Sequence, residues 1–339
     1  MTGESVPYHL RPHKAVDRRL FLDLLSRFER WRPLSEYVYL SMGAYPLEDH
    51  KLVHRLIGIT RLIAFDFDDA IVARQMFNRP IETCHCLHKK SGDLISDLDK
   101  VLSECAVSPD RGFIVWLDYT DPSKIGQQLR EFEALLNRLR EGDLVRVTVN
   151  AHPHDLIDQQ AAGGKPLAAE VKRQKQFDKL KERISDYLPS WAKPEHMTSS
   201  ELPHVLSAAF ASAALKALPV SESWVFAPLS IIRYADGQQM LSITGSVVDR
   251  TNADAMRERL GLSDWPFSST GWDVIHHLVV PHLTVRERLF LEREITSKAP
   301  DDLIKELGFE TASGVAIADF LDSYKNYYRF YPTLLTSEL

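Results

Sequence analysis

The sequence predicts an α/β protein built on a doubly wound, mainly parallel sheet. Five short strand-like runs between residues 37 and 149 alternate with four helical patterns, the rhythm of successive βαβ units. One of these runs, Gly112–Leu117 (GFIVWL), is apolar without a break, as a central parallel strand buried on both faces must be. Further on, Asp236-Gly237 separates two β-rich runs and predicts an antiparallel hairpin added after the parallel strands.

The elements follow in order. Residues 17–30 place Leu20, Leu24, Leu25 and Phe28 at helical spacing. Tyr37–Leu40 is the first strand, and Ser41-Met42-Gly43-Ala44 is the turn after it. Pro46 at the first helical position, with Glu48 and Asp49 in the first turn, suits a helix start. Leu52, Val53, Leu56 and Ile57 form its inner face, and Gly58 ends it. Arg61–Phe65 is the second strand. Asp68 and Asp69 open the next helix, which Pro80 closes. Ile81–Leu87 reads as the third strand, Ser91-Gly92-Asp93 as a turn, and residues 94–102 as one helix. After the fourth strand a long helix carries Ile125, Leu129, Phe132, Leu135, Leu136 and Leu139, and Gly142-Asp143 stops it. Leu144–Val149 is the fifth strand.

From His152 the rhythm changes. Gly163-Gly164-Lys165-Pro166 is a flexible break. Two helices follow, Leu167–Leu188 and Leu202–Leu218, the second apolar on most faces and therefore buried. Trp224–Tyr234 and Gln239–Val248 form the hairpin. Helices are then expected at Asn252–Leu260, Val285–Ile295, Pro300–Leu307 and Ile317–Tyr328, with Thr284 and Glu287 as a capping box. The implied organisation is an N-terminal helical segment (1–34), a core (35–155 and 222–250), a helical insertion (156–221) and a C-terminal helical extension (251–339).

A chain of 339 residues with 44% hydrophobic and 26% charged residues can bury a substantial core. A formal net charge of -6 gives no long-range pull toward nucleic acid. Three cysteines, two of them flanking His85, argue for a reducing compartment and against a disulfide framework. The first sixteen residues lack an apolar leader core, and no run reaches membrane-spanning length. A soluble, cytoplasmic protein is expected, with no membrane partner.

The stretch Tyr37–Asp68 locates the site. It is one βαβ unit with a turn at Gly43 and an acid, Asp66, ending the second strand. A carboxylate there can accept both hydroxyls of a ribose. Asp68 competes for that role, and Asp66 could instead cap the following helix. Asp118-Tyr119-Thr120-Asp121-Pro122 delivers two carboxylates and a phenol to the carboxyl edge of the fourth strand, where such sheets bind ligands. Asp118, Tyr119 and Asp121 are therefore candidates for catalysis, with a capped turn as the plain alternative. His152, His154 and Asn150 end the fifth strand, and His152 is a candidate base. Cys84, Cys86 and His88 share one strand face but lack a fourth ligand, so no metal site is expected. His276, His277 and His282 sit in apolar surroundings that suggest core hydrogen bonds.

Parallel strands with helices and then a closing antiparallel hairpin resemble the class I S-adenosylmethionine-dependent methyltransferase superfamily. The likeness rests on Leu40-Ser41-Met42-Gly43-Ala44, Asp66, Ser91-Gly92-Asp93 and Asp118-Tyr119-Thr120-Asp121-Pro122. The chain is also similar to a bacterial group of putative O-methyltransferases. The resemblance implies S-adenosyl-L-methionine as cofactor and methyl transfer to an oxygen or nitrogen nucleophile. Ser41, Met42 and Gly43 would lie under its amino-acid part, Asp66 at the ribose, Gly92 and Asp93 at the adenine, and Asp118 beside the methyl group, with Phe67 also among the cofactor-binding residues. The chain departs from the pattern in having one glycine and a bulky Tyr45 in the first turn. That departure favours the alternative of an inactive Rossmann-like module binding a nucleotide-like ligand or a partner protein. The C-terminal helices have helix-turn-helix-like spacing without a basic recognition face, so nucleic acid is not the expected partner. Their aromatic cluster (Tyr324, Tyr327, Tyr328, Phe330, Tyr331) is expected to pack on the core or to join a homo-oligomer.

Overall fold

The computed structural model describes residues 11–157, 167–281, 283–309 and 317–331. The expected break at Gly163–Pro166 and His282 lie outside the described residues.

A single mixed sheet organises the fold. Its strands are β1 (Val38–Ser41), β2 (Arg61–Asp66), β3 (His85–His88), β4 (Phe113–Asp118), β5 (Leu144–Asn150), β6 (Trp224–Asp236), β7 (Gln238–Asp249) and β8 (His276–His277). The order across the sheet is β3-β2-β1-β4-β5-β7-β6-β8. Strands β1 to β5 run parallel, and β7 lies antiparallel to β5. The chain winds outward from β1 through β2 to β3, then returns to place β4 on the other side of β1. The strand order therefore reverses between β1 and β4, the point at which open α/β sheets form a crevice at their carboxyl ends.

The described helices are α1 (Pro12–Phe28), α2 (Glu48–Ile57), α3 (Asp69–Asn78), α4 (Ser91–Ser96), α5 (Leu98–Glu104), α6 (Ile125–Leu136), α7 (Ala169–Ile184), α8 (Leu202–Ala217), α9 (Ala253–Leu260), α10 (Val285–Glu294), α11 (Pro300–Leu307) and α12 (Ile317–Tyr327). The doubly wound, mainly parallel architecture with a closing hairpin is the one the periodicity predicts.

Strand alternation divides the sheet's residues between two faces. Val38, Leu40, Ile63, Phe65, Val115, Leu117, Val145, Val147 and Val149 join residues of α4 to α8 in one hydrophobic core. Within it the Phe132 ring meets Phe210 and Phe226 edge-on, with centroids 5.2 and 5.3 Å away. Such pairs contribute about 1 kcal/mol each beyond burial. Tyr39, Ser41, Trp116, Arg146 and Thr148 alternate with the first set and face the other side.

Several elements differ from expectation. Helix α2 begins at Glu48 rather than Pro46, because Leu47 takes a left-handed conformation with φ 54°. Its Leu56 is 59% exposed instead of internal. Strand β3 begins only at His85, since Ile81–Thr83 turn back to bring the Cys84 N–H to the Ile81 carbonyl. Ser91-Gly92-Asp93 is not a turn but the first turn of α4, and the expected single helix breaks at Asp97 into α4 and α5. The hairpin strands run further than predicted and leave only Gly237, at φ 93°, between them.

Residues cluster into two compact units, Leu22–Arg233 with Gln238–His276, and Met1–Phe21 with Tyr234–Gly237 and His277–Leu339. In the second, the Asp236 carboxylate accepts hydrogen bonds from the backbone N–H groups of His13 and Lys14 at 3.2 and 2.8 Å. It thereby serves as a non-local cap for the start of α1. The expected aromatic cluster lies in this unit, where Tyr324 packs against Phe320, Tyr327, Tyr328 and Tyr331. Among the described residues no helix is long and apolar enough to cross a membrane.

Candidate active site

In the parallel part of the sheet, residues paired across strands point to the same face. Ser41 pairs with Ala64 and Trp116, and Asp118 pairs with Thr148. Ser41, Asp66, Asp118 and Asn150 therefore share one face, each at or just beyond the carboxyl end of its strand. This register brings the expected residues to one edge beside the switch point.

The turn after β1 is unusual backbone. Gly43, Ala44 and Leu47 adopt positive φ values of 67°, 44° and 54°, a conformation that non-glycine residues occupy at a cost and that concentrates at ligand sites. A Cβ on Gly43 would lie 2.7 Å from both His50 Cε1 and Leu47 Cδ2, so only glycine fits. The Gln75 amide of α3, fully buried, donates to the carbonyls of Met42 (2.8 Å) and Ala44 (3.2 Å). The Arg74 guanidinium lies 3.4 Å from the centre of the Tyr45 ring.

Beneath the turn, Asp49 Oδ2 accepts hydrogen bonds from Tyr39 Oη and Ser41 Oγ, both at 2.7 Å. Sequence reasoning assigned Asp49 only to a helix start and did not single out His50. Their shared environment appears only once β1 alternation turns Tyr39 and Ser41 toward α2.

At β2, the two acids separate. Asp68 caps α3, its Oδ1 accepting from the N–H groups of Ala70 (2.8 Å) and Ile71 (3.4 Å). Asp66 ends the strand half-buried, with one oxygen taking the Asp68 N–H at 2.9 Å. Phe67 beside it is 69% exposed. Gly92 and Asp93 stand in the first turn of α4, where Gly92 lines a small cleft with Gln127 and Glu131 of α6 and with Arg138 just beyond it.

The two candidates that end β4 part company. Asp118 lies on the face of Ser41, whereas Tyr119 lies in the core with Leu117. The Tyr119 hydroxyl donates to Glu131 Oε2 at 2.5 Å, and burial with that carboxylate alongside pushes its pKa well above the ordinary phenol range. It is a neutral donor tying β4 to α6 from the core face of the sheet, opposite the face that carries Asp118. Asp121 caps a short 3-10 helix, with its Oδ1 accepting from Ser123 N (2.9 Å) and Ser123 Oγ (2.6 Å).

Beyond β5, Asn150 Oδ1 accepts the His152 N–H at 2.8 Å, and Asn150 Nδ2 donates to Asp155 Oδ2 at 2.8 Å. His152 Nδ1 is buried and faces Asp155 Oδ1 at 3.5 Å. The rings of His152 and His154 lie 4.9 Å apart. Asp155 was missed in the sequence, although an acid three residues after a candidate base is a readable signal for an orienting partner.

Other candidates resolve simply. His276 Nε2 meets the Ser268 carbonyl at 2.9 Å, and burial lowers its pKa. His88 Nδ1 pairs with Asp69 at 2.8 Å at the surface. The three cysteines are free, and among the described residues no group of three or more His, Cys, Asp or Glu could hold a metal ion.

A sequence model of the family described as "Putative O-methyltransferase" matches residues 6–339. The chain belongs to this family. None of the curated proteins matches this O-methyltransferase family member in sequence. Among solved structures it is similar to LepI in complex with SAM, at 10% identity and a TM-score of 0.35. That match covers 66% of this chain and 46% of the LepI chain. It is also similar to the plantazolicin methyltransferase BamL, solved with a triazolic desmethylPZN analog and SAH. There the identity is 8%, the TM-score 0.32, and the coverage 68% of this chain and 85% of BamL.

Proposed function

We propose that this O-methyltransferase family member binds S-adenosylmethionine over the carboxyl ends of β1, β2 and β4 and methylates a hydroxyl group. The observation that carries the reading is the shared face of Ser41, Asp66 and Asp118 beside the Gly43 turn. The residues fit the cofactor. A half-buried carboxylate with Asp68 already used as a cap is suited to a ribose diol. An exposed aromatic, Phe67, stands next to it. Ser41, Met42, Gly92 and Asp93 complete the proposed cofactor set.

When bound, the cofactor would supply an electrophilic methyl group on sulfur. The chain's own task is then to hold a hydroxyl nucleophile in line and to take its proton. His152, with Nδ1 toward Asp155, is suited to accept that proton at its other nitrogen. Asn150 fixes Asp155 and the His152 backbone together, so the base is oriented before a substrate arrives. Asp118 is proposed to orient the nucleophile, and Asp121, already capping the next helix, to shape the entrance. The methyl acceptor is a hydroxyl compound. A cytoplasmic setting suits the three free thiols.

Calorimetry with S-adenosylmethionine and S-adenosylhomocysteine tests the reading, and binding of either supports it. No heat at millimolar ligand would leave the rival reading, a non-catalytic module, which the single glycine and the Tyr45 side chain of the turn favour.

A further inference from the structure

His50 is fully buried beneath the Gly43 turn, and both its ring nitrogens face acceptors. Nδ1 lies 3.3 Å from Asp49 Oδ1 and Nε2 lies 3.1 Å from the Ile63 carbonyl oxygen. A neutral imidazole has one N–H and would turn a lone pair toward one of these oxygens, whereas an imidazolium satisfies both. Asp49, 6% exposed, receives Tyr39 and Ser41 on its other oxygen. The Tyr39 ring meets the His50 ring edge-on at 5.1 Å. An ion pair this deep persists only when its remaining hydrogen-bonding positions are filled, and here β1 and β2 supply the partners.

We infer that Asp49 and His50 form a buried ion pair that acts as a positioning device, holding the Gly43 turn in the shape that receives the cofactor. The His50 ring edge touches the space a Gly43 side chain would need, so the ring is the floor of the turn. Asp49 clamps the last strand residue before it, Ser41. The groups facing His50 support the assignment. Burial alone would lower its pKa, but the Asp49 carboxylate, the Ile63 carbonyl and the Cys86 thiol raise it above the ordinary histidine value. The role of the device rests on the cofactor reading proposed above, while the charge state does not.

Two measurements on the full chain decide it. Nitrogen-15 NMR of the ring should show His50 carrying both protons at a pH where exposed histidines have lost one. A neutral His50 there overturns the inference, with or without a cofactor. Asp49→Asn, which retains an oxygen for Tyr39 and Ser41, should weaken S-adenosylhomocysteine binding roughly tenfold or more, the worth of one charge-assisted hydrogen bond. Turnover at saturating cofactor should stay near that of the unaltered protein. Unchanged affinity in the folded variant overturns the positioning role. Absence of binding by the unaltered protein instead sinks the cofactor reading and with it the positioning role, and leaves the ion pair to the NMR result.

Discussion

Asp118 and Tyr119 are neighbours in sequence and lie on opposite faces of the sheet. Asp118 shares the face of Ser41, and the Tyr119 hydroxyl is bound to Glu131 within the core. Substitutions at the two positions should therefore separate. Asp118→Asn should lower turnover roughly a hundredfold with little change in melting temperature. Tyr119→Phe should leave turnover nearly intact and cost about 2 kcal/mol of stability, because the buried Glu131 loses a donor. Equal effects on activity would return Tyr119 to the reaction centre.

The pair Asp66 and Asp68 allows a similar separation. Asp68→Ala removes a helix cap and should cost about 1 kcal/mol, with cofactor affinity preserved. Asp66→Ala should weaken S-adenosylhomocysteine binding at least roughly tenfold, as expected for lost hydrogen bonds to a charged group. Calorimetry and thermal melts on both variants check this, and the reverse pattern would exchange their roles.

Gly43→Ala should be poorly tolerated. The residue sits at φ 67°, and a Cβ would meet His50 and Leu47 at 2.7 Å. Left-handed strain and overlap together should cost about 2 kcal/mol or more, with loss of cofactor binding. Retention of both stability and affinity would show that the turn is softer than its contacts imply.

His152→Ala should reduce turnover about a hundredfold or more, the usual contribution of a positioned base. Asp155→Asn should produce a smaller loss in the same parameter, since it acts through the imidazole. Cofactor affinity should not change in either. A full-speed His152→Ala enzyme would remove proton transfer from this residue.

Asp143 gives a pH signature away from the site. Burial raises its pKa to about 6, outweighing the backbone N–H groups of Arg140 and Phe113 that bond it. The folded chain therefore holds this proton more tightly than the unfolded chain, whose value is about 3.9. Its contribution is fully present below about pH 4 and is lost as pH rises through about 6, at a cost on the order of 3 kcal/mol. Melts of the unaltered protein and of Asp143→Asn across that window should differ in slope, and parallel curves would sink the assignment.

Much of the sheet was readable because burial on both faces leaves plain marks. GFIVWL and LVRVTV became β4 and β5 with ends shifted by about a residue. Edge strand β3 was read too long, since Ile81–Thr83 are β-prone residues whose backbone is claimed by a turn. Ser91-Gly92-Asp93 has turn composition, yet it forms the start of α4, where a Cβ on Gly92 would lie 3.1 Å from Glu131. Leu56 matched the helical period of α2 and was left exposed, because period alone does not reveal which stripe a neighbour covers. The split between Asp118 and Tyr119 was implicit in two-residue alternation. The Asp49–His50 pair was not legible, because its partners come from two strands outside the helix that carries it.

Of the ten residues in α3, only Gln75 is buried, while Met76 and Phe77 are 43% and 91% exposed. Such a helix gains little from the hydrophobic effect and should open locally at low cost, exchanging its amide hydrogens well before the central strands do. Gln75 is also the residue that grips the carbonyls of Met42 and Ala44. Each opening of α3 thus releases the turn after β1, and the residence time of a ligand held there should track the opening rate of this one helix.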